Sequence, residues 1–161
     1  MYLSYDPTII FLAEYLAWVV GIGVFLFLIF GRNKKKELWM LIEAFSAGIL
    51  SRFIFTEIIR YFYDRPRPFE VLSSVYQLIQ HSPGGSFPSG HAAFFFALAT
   101  GVFFHRKWWG VLFYIAALAI SLSRVAAGLH WPSDVLAGAV IGILSAWLVK
   151  MLLKNFARGG S

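Results

Sequence analysis

Three short clusters of arginine, histidine and acidic residues stand out in a strongly apolar chain. Each cluster lies at the end of an apolar stretch, so the ends of neighbouring helices can bring all three together. Arginines suit phosphate oxygens, and two histidines with a carboxylate supply a nucleophile, an acid and an orienting group. These residue types indicate phosphoryl transfer without a metal. The clusters are Arg60 with Arg67-Pro68, then Pro88-Ser89-Gly90-His91, and finally Ser123-Arg124 with His130 and Asp134.

The last cluster has the spacing of a nucleophile and its orienting group. His130 and Asp134 are four residues apart across Pro132, and proline favours the first turn of a helix. The carboxylate can then reach back to one imidazole N–H and leave the other nitrogen free to attack. An aspartate that only caps the helix, beside an interfacial histidine, is the alternative interpretation.

The middle cluster predicts the start of a helix that binds an anion. Ser89 is a suitable N-cap, and Gly90 lets a ligand come close to the backbone. Free N–H groups and the positive end of the helix dipole favour an anion there. His91, one residue further, is placed to donate a proton. The alternative is a simple helix start with a capping serine.

Three arginines complete the predicted site. Arg60, Arg67 and Arg124 stand near helix ends, where their guanidinium groups can bind phosphate oxygens. Snorkelling of the side chains to the membrane interface is the alternative. Among the other charged residues, Arg65 adjoins Asp64 as a local charge balance, and Arg52 is interpreted as a structural or lipid-headgroup residue.

A metal site is not predicted. The two motif histidines lie far apart, neither an HExxH nor a CxxC pattern occurs, and the neighbouring arginines would repel a cation. We expect neither a metal nor another cofactor. Glu14, a carboxylate inside the first apolar stretch, is a functional candidate without an assigned role.

Composition places the chain in a membrane. Of its 161 residues, 59% are hydrophobic and only 14% are charged, and the mean hydropathy is +0.70. A soluble domain would have roughly a quarter of its residues charged. The net charge of +6 does not indicate nucleic acid, because the cations flank apolar segments. We predict one domain over residues 1–158, no cleaved signal, and a linker scar at residues 159–161.

Five apolar stretches are long enough, or nearly so, to cross a bilayer. They predict an all-α membrane bundle of about five transmembrane helices. Basic residues between spans one and two, between spans three and four, and at the C-terminus would share the cytoplasmic side. The N-terminus and all three clusters then face outward, and the C-terminus faces inward. The spans run from residue 9 to 30, 38 to 63, 89 to 104, 108 to 127, and 132 to 153.

Two further patterns concern packing. Apolar residues recur at helical spacing in the long loop after the second span, which predicts either a short interfacial helix or a packed loop. Gly138 and Gly142 form a GxxxG pattern in the fifth span, for close packing within the chain or, less readily, a dimer. The loop residues are Phe69, Leu72, Val75, Tyr76 and Ile79.

Together the clusters resemble the three signatures of the type 2 phosphatidic acid phosphatase superfamily, KxxxxxxRP, PSGH and SRxxxxxHxxxD. The second and third signatures are present in full, and the first has Arg60 where the family usually has lysine. The signatures span residues 60 to 134. Arginine keeps the positive charge of lysine but differs in length and geometry, so Arg60 would contact phosphate differently from the usual lysine.

The resemblance implies a metal-independent membrane lipid phosphatase. His130 would attack phosphorus and form a phosphohistidine, Asp134 would orient His130, and His91 would protonate the leaving oxygen. Phosphate-binding roles would fall to Arg60, Arg67, Ser89, Gly90 and Arg124. The superfamily's membrane members commonly have six spans, one more than we count here.

Within the superfamily, the small size and the Arg65-to-Phe69 run resemble bacterial undecaprenyl-diphosphatases of the bacitracin-resistance type. The resemblance implies hydrolysis of undecaprenyl diphosphate to undecaprenyl phosphate at the outer face of the cell membrane, in cell-wall synthesis. Phosphatases for phosphatidylglycerophosphate, phosphatidic acid or lipid A remain alternatives. So do a soluble-substrate phosphatase or haloperoxidase with the same motifs, and a protein that only binds or moves anionic lipids.

Overall fold

The chain folds as a bundle of antiparallel helices. The structure, a computed structural model, describes residues 7–75, 78–79 and 84–159, and within these ranges it contains helices and no strand. Helix α1 covers residues 7–30, with a π-helical turn at Phe11–Tyr15. Helix α2 is Lys34–Phe62, with a π-helical turn at Leu50–Phe55. The others are α3 (Pro68–Val71), α4 (Gly90–His105), α5 (Lys107–Ala126) and α6 (Pro132–Gly159).

Capping residues set where the main helices begin and end. Asn33 adopts an extended backbone, and its side chain accepts a hydrogen bond from the Lys36 N–H at 3.1 Å to start α2. Ser89 caps α4 in the same way, through the N–H of Ala92. Pro132 opens α6, where its missing N–H costs nothing. The predicted helix starts at residues 89 and 132 are therefore confirmed to within one residue.

The shortest of the long helices is the centre of the bundle. Helix α4 packs against α2, α5 and α6, while α1 lies at the edge, mainly against α5 and α2. Small residues allow this close packing: a Cβ at Gly138 would lie 2.4 Å from the Ser89 carbonyl oxygen. A Cβ at Gly142 would lie 2.3 Å from that of Ala93. The GxxxG pattern therefore packs within the chain.

The outer surface is that of a membrane protein. Four described helices are long and apolar enough to cross a membrane, and α4 is a shorter apolar helix of 16 residues. Large apolar side chains are exposed around the bundle, such as Trp18 on α1 at 74%. The predicted all-α bundle of about five membrane helices is confirmed, and the chain is a multi-pass membrane protein.

The two ends of the bundle differ in chemistry. The predicted clusters collect at the end where α2 and α5 finish and α4 and α6 begin. At the opposite end, buried Glu37 pairs with Arg106, and Glu43 pairs with His105 at 2.9 Å. These two ion pairs tie the start of α2 to the end of α4.

The described part of the long loop contains a short helix. Of the residues that the structure describes there, Pro68–Val71 are helical, and Leu72 to Val75 form a turn. Tyr76 lies outside the described residues. Ile79 is buried with Ala13, Ala127 and Leu129 in a small apolar cluster, against which Phe69 packs. The packed-loop interpretation therefore fits Phe69 and Ile79, whereas Leu72 is exposed.

Candidate active site

His130 is buried in the corner between α5 and α6, with 2% of the residue exposed. Its Nδ1 lies 2.9 Å from the carbonyl oxygen of Ser86 and 3.6 Å from Oδ2 of Asp134. A carbonyl oxygen only accepts, so Nδ1 carries the proton and donates it to Ser86. The neutral ring therefore keeps a lone pair on Nε2, the tautomer that a nucleophilic histidine needs.

The environment of His130 favours the neutral ring. Burial lowers its pKa below the usual histidine value, and the positive charges of Arg67 and Arg124 lower it further. Asp134 raises the pKa of His130, but its effect is smaller than the lowering by burial. His130 is therefore unprotonated at neutral pH.

Asp134 sits in the first turn of α6 with no exposed surface. Its Oδ2 accepts the Trp131 N–H at 2.8 Å, and its Oδ1 pairs with Arg65 at 2.8 Å. We expected Asp134 itself to bond the imidazole N–H. In the structure the Ser86 carbonyl makes that bond, and Asp134 supplies a fixed negative charge at 3.6 Å from the ring.

Arg67 joins two segments of the site from a buried position. One guanidinium nitrogen donates to the Leu129 carbonyl at 2.9 Å, and another reaches the Gly85 carbonyl at 3.4 Å. Burial lowers the pKa of this guanidinium, although Glu70 and Asp134 oppose the effect. Arg67 thus holds the corner before His130 against the loop before Pro88.

Arg60 and Arg124 approach from the ends of α2 and α5. Arg60 donates to the Pro88 carbonyl at 3.0 Å, and Arg124 donates to the Ala13 carbonyl at 3.0 Å. In Arg60, Arg67 and Arg124 alike, Nε is buried and has no hydrogen-bond partner among the described residues. Such groups are costly to leave unsatisfied, so an anion that accepts from them would be stabilised.

The start of α4 is locked to the start of α6. The Ser89 N–H donates to the Asp134 carbonyl at 2.9 Å, and its side chain caps α4. Close packing at Gly138 keeps α6 directly against Ser89. The middle and last clusters are therefore in direct contact through their backbones.

The two motif histidines line different cavities. His91, which is partly buried, lines a cavity of about 430 Å³ together with Arg124 and Glu14. His130 lines a smaller, mostly apolar cavity of about 280 Å³ under Pro68 and Trp131. The role of His91 as acid stays a prediction, and Glu14 stays a candidate without an assigned role. Among the described residues, no three histidine, aspartate or glutamate side chains converge as a metal site would require.

Three contributors to the site were not predicted from the sequence. Ser86 acts through its backbone carbonyl, which no residue type signals. Arg65 pairs with Asp134 and stacks on Trp131, rather than balancing Asp64. Arg52 lies beside Gly90 and pairs with Glu57, a position that its spacing did not indicate, and its interpretation as a structural or lipid-headgroup residue stays a prediction.

Comparison with known proteins assigns the chain to a class. Residues 41–158 match the family model described as the PAP2 superfamily, which is most of the chain. The chain belongs to the PAP2 superfamily and is a membrane phosphatase that hydrolyses phosphoric esters or diphosphates.

The relatives include one protein named as a transport permease and one named as a diphosphatase. The bacitracin transport permease protein BcrC of Bacillus licheniformis is 35% identical over 148 residues, covering 92% of this chain and 71% of the relative. An undecaprenyl-diphosphatase of Sulfolobus acidocaldarius is 35% identical over 138 residues, covering 83% of this chain and 63% of the relative. The crystal structure of Aquifex aeolicus LpxE superposes with a TM-score of 0.74 at 25% identity, covering 92% and 88% of the two chains.

Proposed function

We propose that the protein is a metal-independent lipid diphosphatase that converts undecaprenyl diphosphate to undecaprenyl phosphate. The observation that carries the proposal is the buried His130, whose Nδ1 donates to the Ser86 carbonyl. It lies in the field of arginines whose Nε groups have no partner in the part of the chain that the structure describes. The substrate is inferred from the undecaprenyl-diphosphatase of S. acidocaldarius, which is 35% identical.

The proposed reaction proceeds in two steps. Nε2 of His130 attacks the terminal phosphorus, a P–N bond forms, and the bond to the leaving oxygen breaks. The imidazole becomes positively charged, and Asp134, 3.6 Å away, stabilises that charge. Water then cleaves the phosphohistidine and releases inorganic phosphate.

The other motif residues bind the phosphoryl group or protonate the leaving oxygen. Arg60, Arg67 and Arg124 neutralise the oxygens of the transferred group, together with Ser89 and the N–H groups at Gly90. His91 protonates the leaving oxygen when that oxygen belongs to an alcohol. For a diphosphate the leaving group is itself a phosphate, which needs less help from an acid.

The proposed orientation places this site outside the cytoplasm. Basic residues gather at the opposite end of the bundle, in the 31–36 turn and around residues 106–107, where cytoplasmic loops carry lysine and arginine. Labelling of single cysteines introduced at Asn33 and at Ser133 in intact cells tests this. Reaction of the Asn33 position alone with an impermeant reagent would reverse the orientation.

A phosphate-release panel tests the function. Purified protein in detergent, with chelator present, is offered undecaprenyl diphosphate, phosphatidylglycerophosphate, phosphatidic acid and lipid A. We expect the highest kcat/KM for undecaprenyl diphosphate. A clear preference for another lipid would reassign the substrate, and no release from any of them would overturn the proposal.

A pair of histidine variants tests the nucleophile. His130→Ala should lose at least about 10³-fold in kcat and should no longer form an acid-labile phosphoprotein. His105→Ala is the matched control, because His105 pairs with Glu43 at the opposite end of the bundle. A His130→Ala protein that keeps full turnover would rule out the mechanism.

A further inference from the structure

Arg52 covers the start of the central helix. It lies in the π-helical turn of α2, and 28% of its side chain is exposed. A Cβ at Gly90 would lie 2.4 Å from both Cδ and Nε of Arg52 and 2.9 Å from Cζ. The guanidinium group therefore borders the first residue of α4, next to the backbone that we propose binds phosphate.

Glu57 holds Arg52 beside Arg60. The two arginines share one carboxylate oxygen, Oε1 of Glu57, which lies 3.2 Å from Nη1 of Arg60. A spacing of five residues is unfavourable in an α-helix but suits the wider π-helical turn, whose hydrogen bonds join residues five apart. One carboxylate thus serves two cations, and its side chain is 49% exposed.

The positive charge around this helix start exceeds what one carboxylate balances. The Asp134 carboxylate pairs with Arg65, and Glu57 is shared by Arg52 and Arg60. The charge on Arg52 also contributes to the lowered pKa of Arg67, so its field extends to the phosphate site. Two arginines that share one half-exposed carboxylate leave a net positive charge in the span, which favours a ligand with more than one anionic group.

We propose that Arg52, which borders the start of α4, forms a second anion subsite next to the transferred group and binds the phosphoryl group of a lipid diphosphate that is not transferred. This inference rests on the proposed function of the His130 site. When His130 attacks the terminal phosphorus, the P–O bond to the inner phosphate breaks, and that phosphate leaves on the lipid with the electron pair. Arg52 stabilises the negative charge that grows on its oxygens. A phosphomonoester has no such group, so Arg52 favours diphosphates.

Selectivity between two lipids tests the subsite. We compare kcat/KM of Arg52→Gln with that of the unsubstituted protein on farnesyl diphosphate and on phosphatidic acid. Loss of a charged hydrogen-bond partner should lower the value about tenfold or more for the diphosphate. For phosphatidic acid we expect less than about a threefold change, which also shows that the variant folds. Arg32→Gln is the control, because Arg32 is an exposed arginine at the opposite end of the bundle.

A binding measurement separates this inference from the proposed function. By titration calorimetry, the unsubstituted protein should bind inorganic pyrophosphate more tightly than phosphate. Arg52→Gln should remove that difference, and Arg52→Lys should keep part of it. If neither lipid is hydrolysed but this pattern holds, the subsite stands and the diphosphatase function fails. Equal losses on both lipids, or an unchanged pyrophosphate preference in Arg52→Gln, would overturn the subsite.

Discussion

Replacing Asp134 by asparagine removes one negative charge beside His130 with little change in shape. The carboxylate has no exposed surface, and it accepts bonds from the Trp131 N–H and from Arg65. An asparagine oxygen can keep the bond from Trp131. What is lost is the acceptor for Arg65, because the amide NH2 only donates, and the charge that stabilises the imidazole when Nε2 bonds to phosphorus.

The geometry gives the size of the loss. Two unit charges 3.6 Å apart, the separation of Nδ1 and Oδ2, interact by about 4 to 5 kcal/mol at an effective dielectric constant of about 20. Arg65, 2.8 Å from Oδ1, cancels part of that field. We therefore expect about 3 kcal/mol, which is roughly a hundredfold fall in kcat.

The pH dependence distinguishes an electrostatic role from damage to the fold. Asp134 raises the pKa of His130, so its removal lowers that pKa further. Because His130 must be neutral to attack, the acidic limb of the kcat profile should move to lower pH in Asp134→Asn. A variant that was only misfolded would lose activity at every pH without moving the limb.

The assay is phosphate release in detergent between pH 4.5 and 9, with circular dichroism to confirm helix content. Ser133→Ala is the control, because Ser133 contacts the same Arg65 without a charge. Activity of Asp134→Asn within about threefold of the unsubstituted protein, or a limb moved to higher pH, would refute the electrostatic role.

Two further predictions concern stability. Gly142→Ala places a Cβ 2.3 Å from the Ala93 carbonyl oxygen, so we expect the free energy of unfolding to fall by about 1–3 kcal/mol and Tm in detergent to fall with it. Gly21→Ala is the control, because the space around Gly21 is open and Tm should not fall. An unchanged Tm for Gly142→Ala would contradict the close packing. The lowered pKa of His130 means that the folded state binds its proton less readily than the unfolded state. The free energy of unfolding should therefore fall as the pH drops below the ordinary histidine pKa of about 6.5, and it should fall less in His130→Gln. If stability fell equally with pH in the two proteins, that would argue against a buried neutral ring.

The positions of the membrane helices were predictable because their signals are local. Apolar length, a serine before Gly90 and a proline at position 132 fix most helix ends within a few residues. The meeting of the clusters at one end followed from counting the spans. The orientation in the membrane stays a prediction, since the bundle alone does not distinguish its two sides.

The contacts around His130 were less predictable because they depend on the backbone and on helix irregularities. The Ser86 carbonyl comes from a loop whose path no side chain encodes. The Arg52–Glu57 pair needs a π-helical turn, and ordinary helical spacing separates these two side chains. Arg65 could be assigned only once α6 placed Asp134 next to it.

The short central helix also sets how deep the chemistry lies. Its 16 residues rise about 24 Å. Its first residue, Gly90, lies beside the Arg52 side chain. Arg52 comes ten residues before Phe62, the last residue of α2. Ten residues correspond to about 15 Å along a helix, so the last turns of α2 extend beyond the level at which α4 begins. A lipid phosphate bound at the start of α4, as we propose, would lie beside those turns. Bulky groups carried beyond the phosphate would then have to fit next to the end of α2.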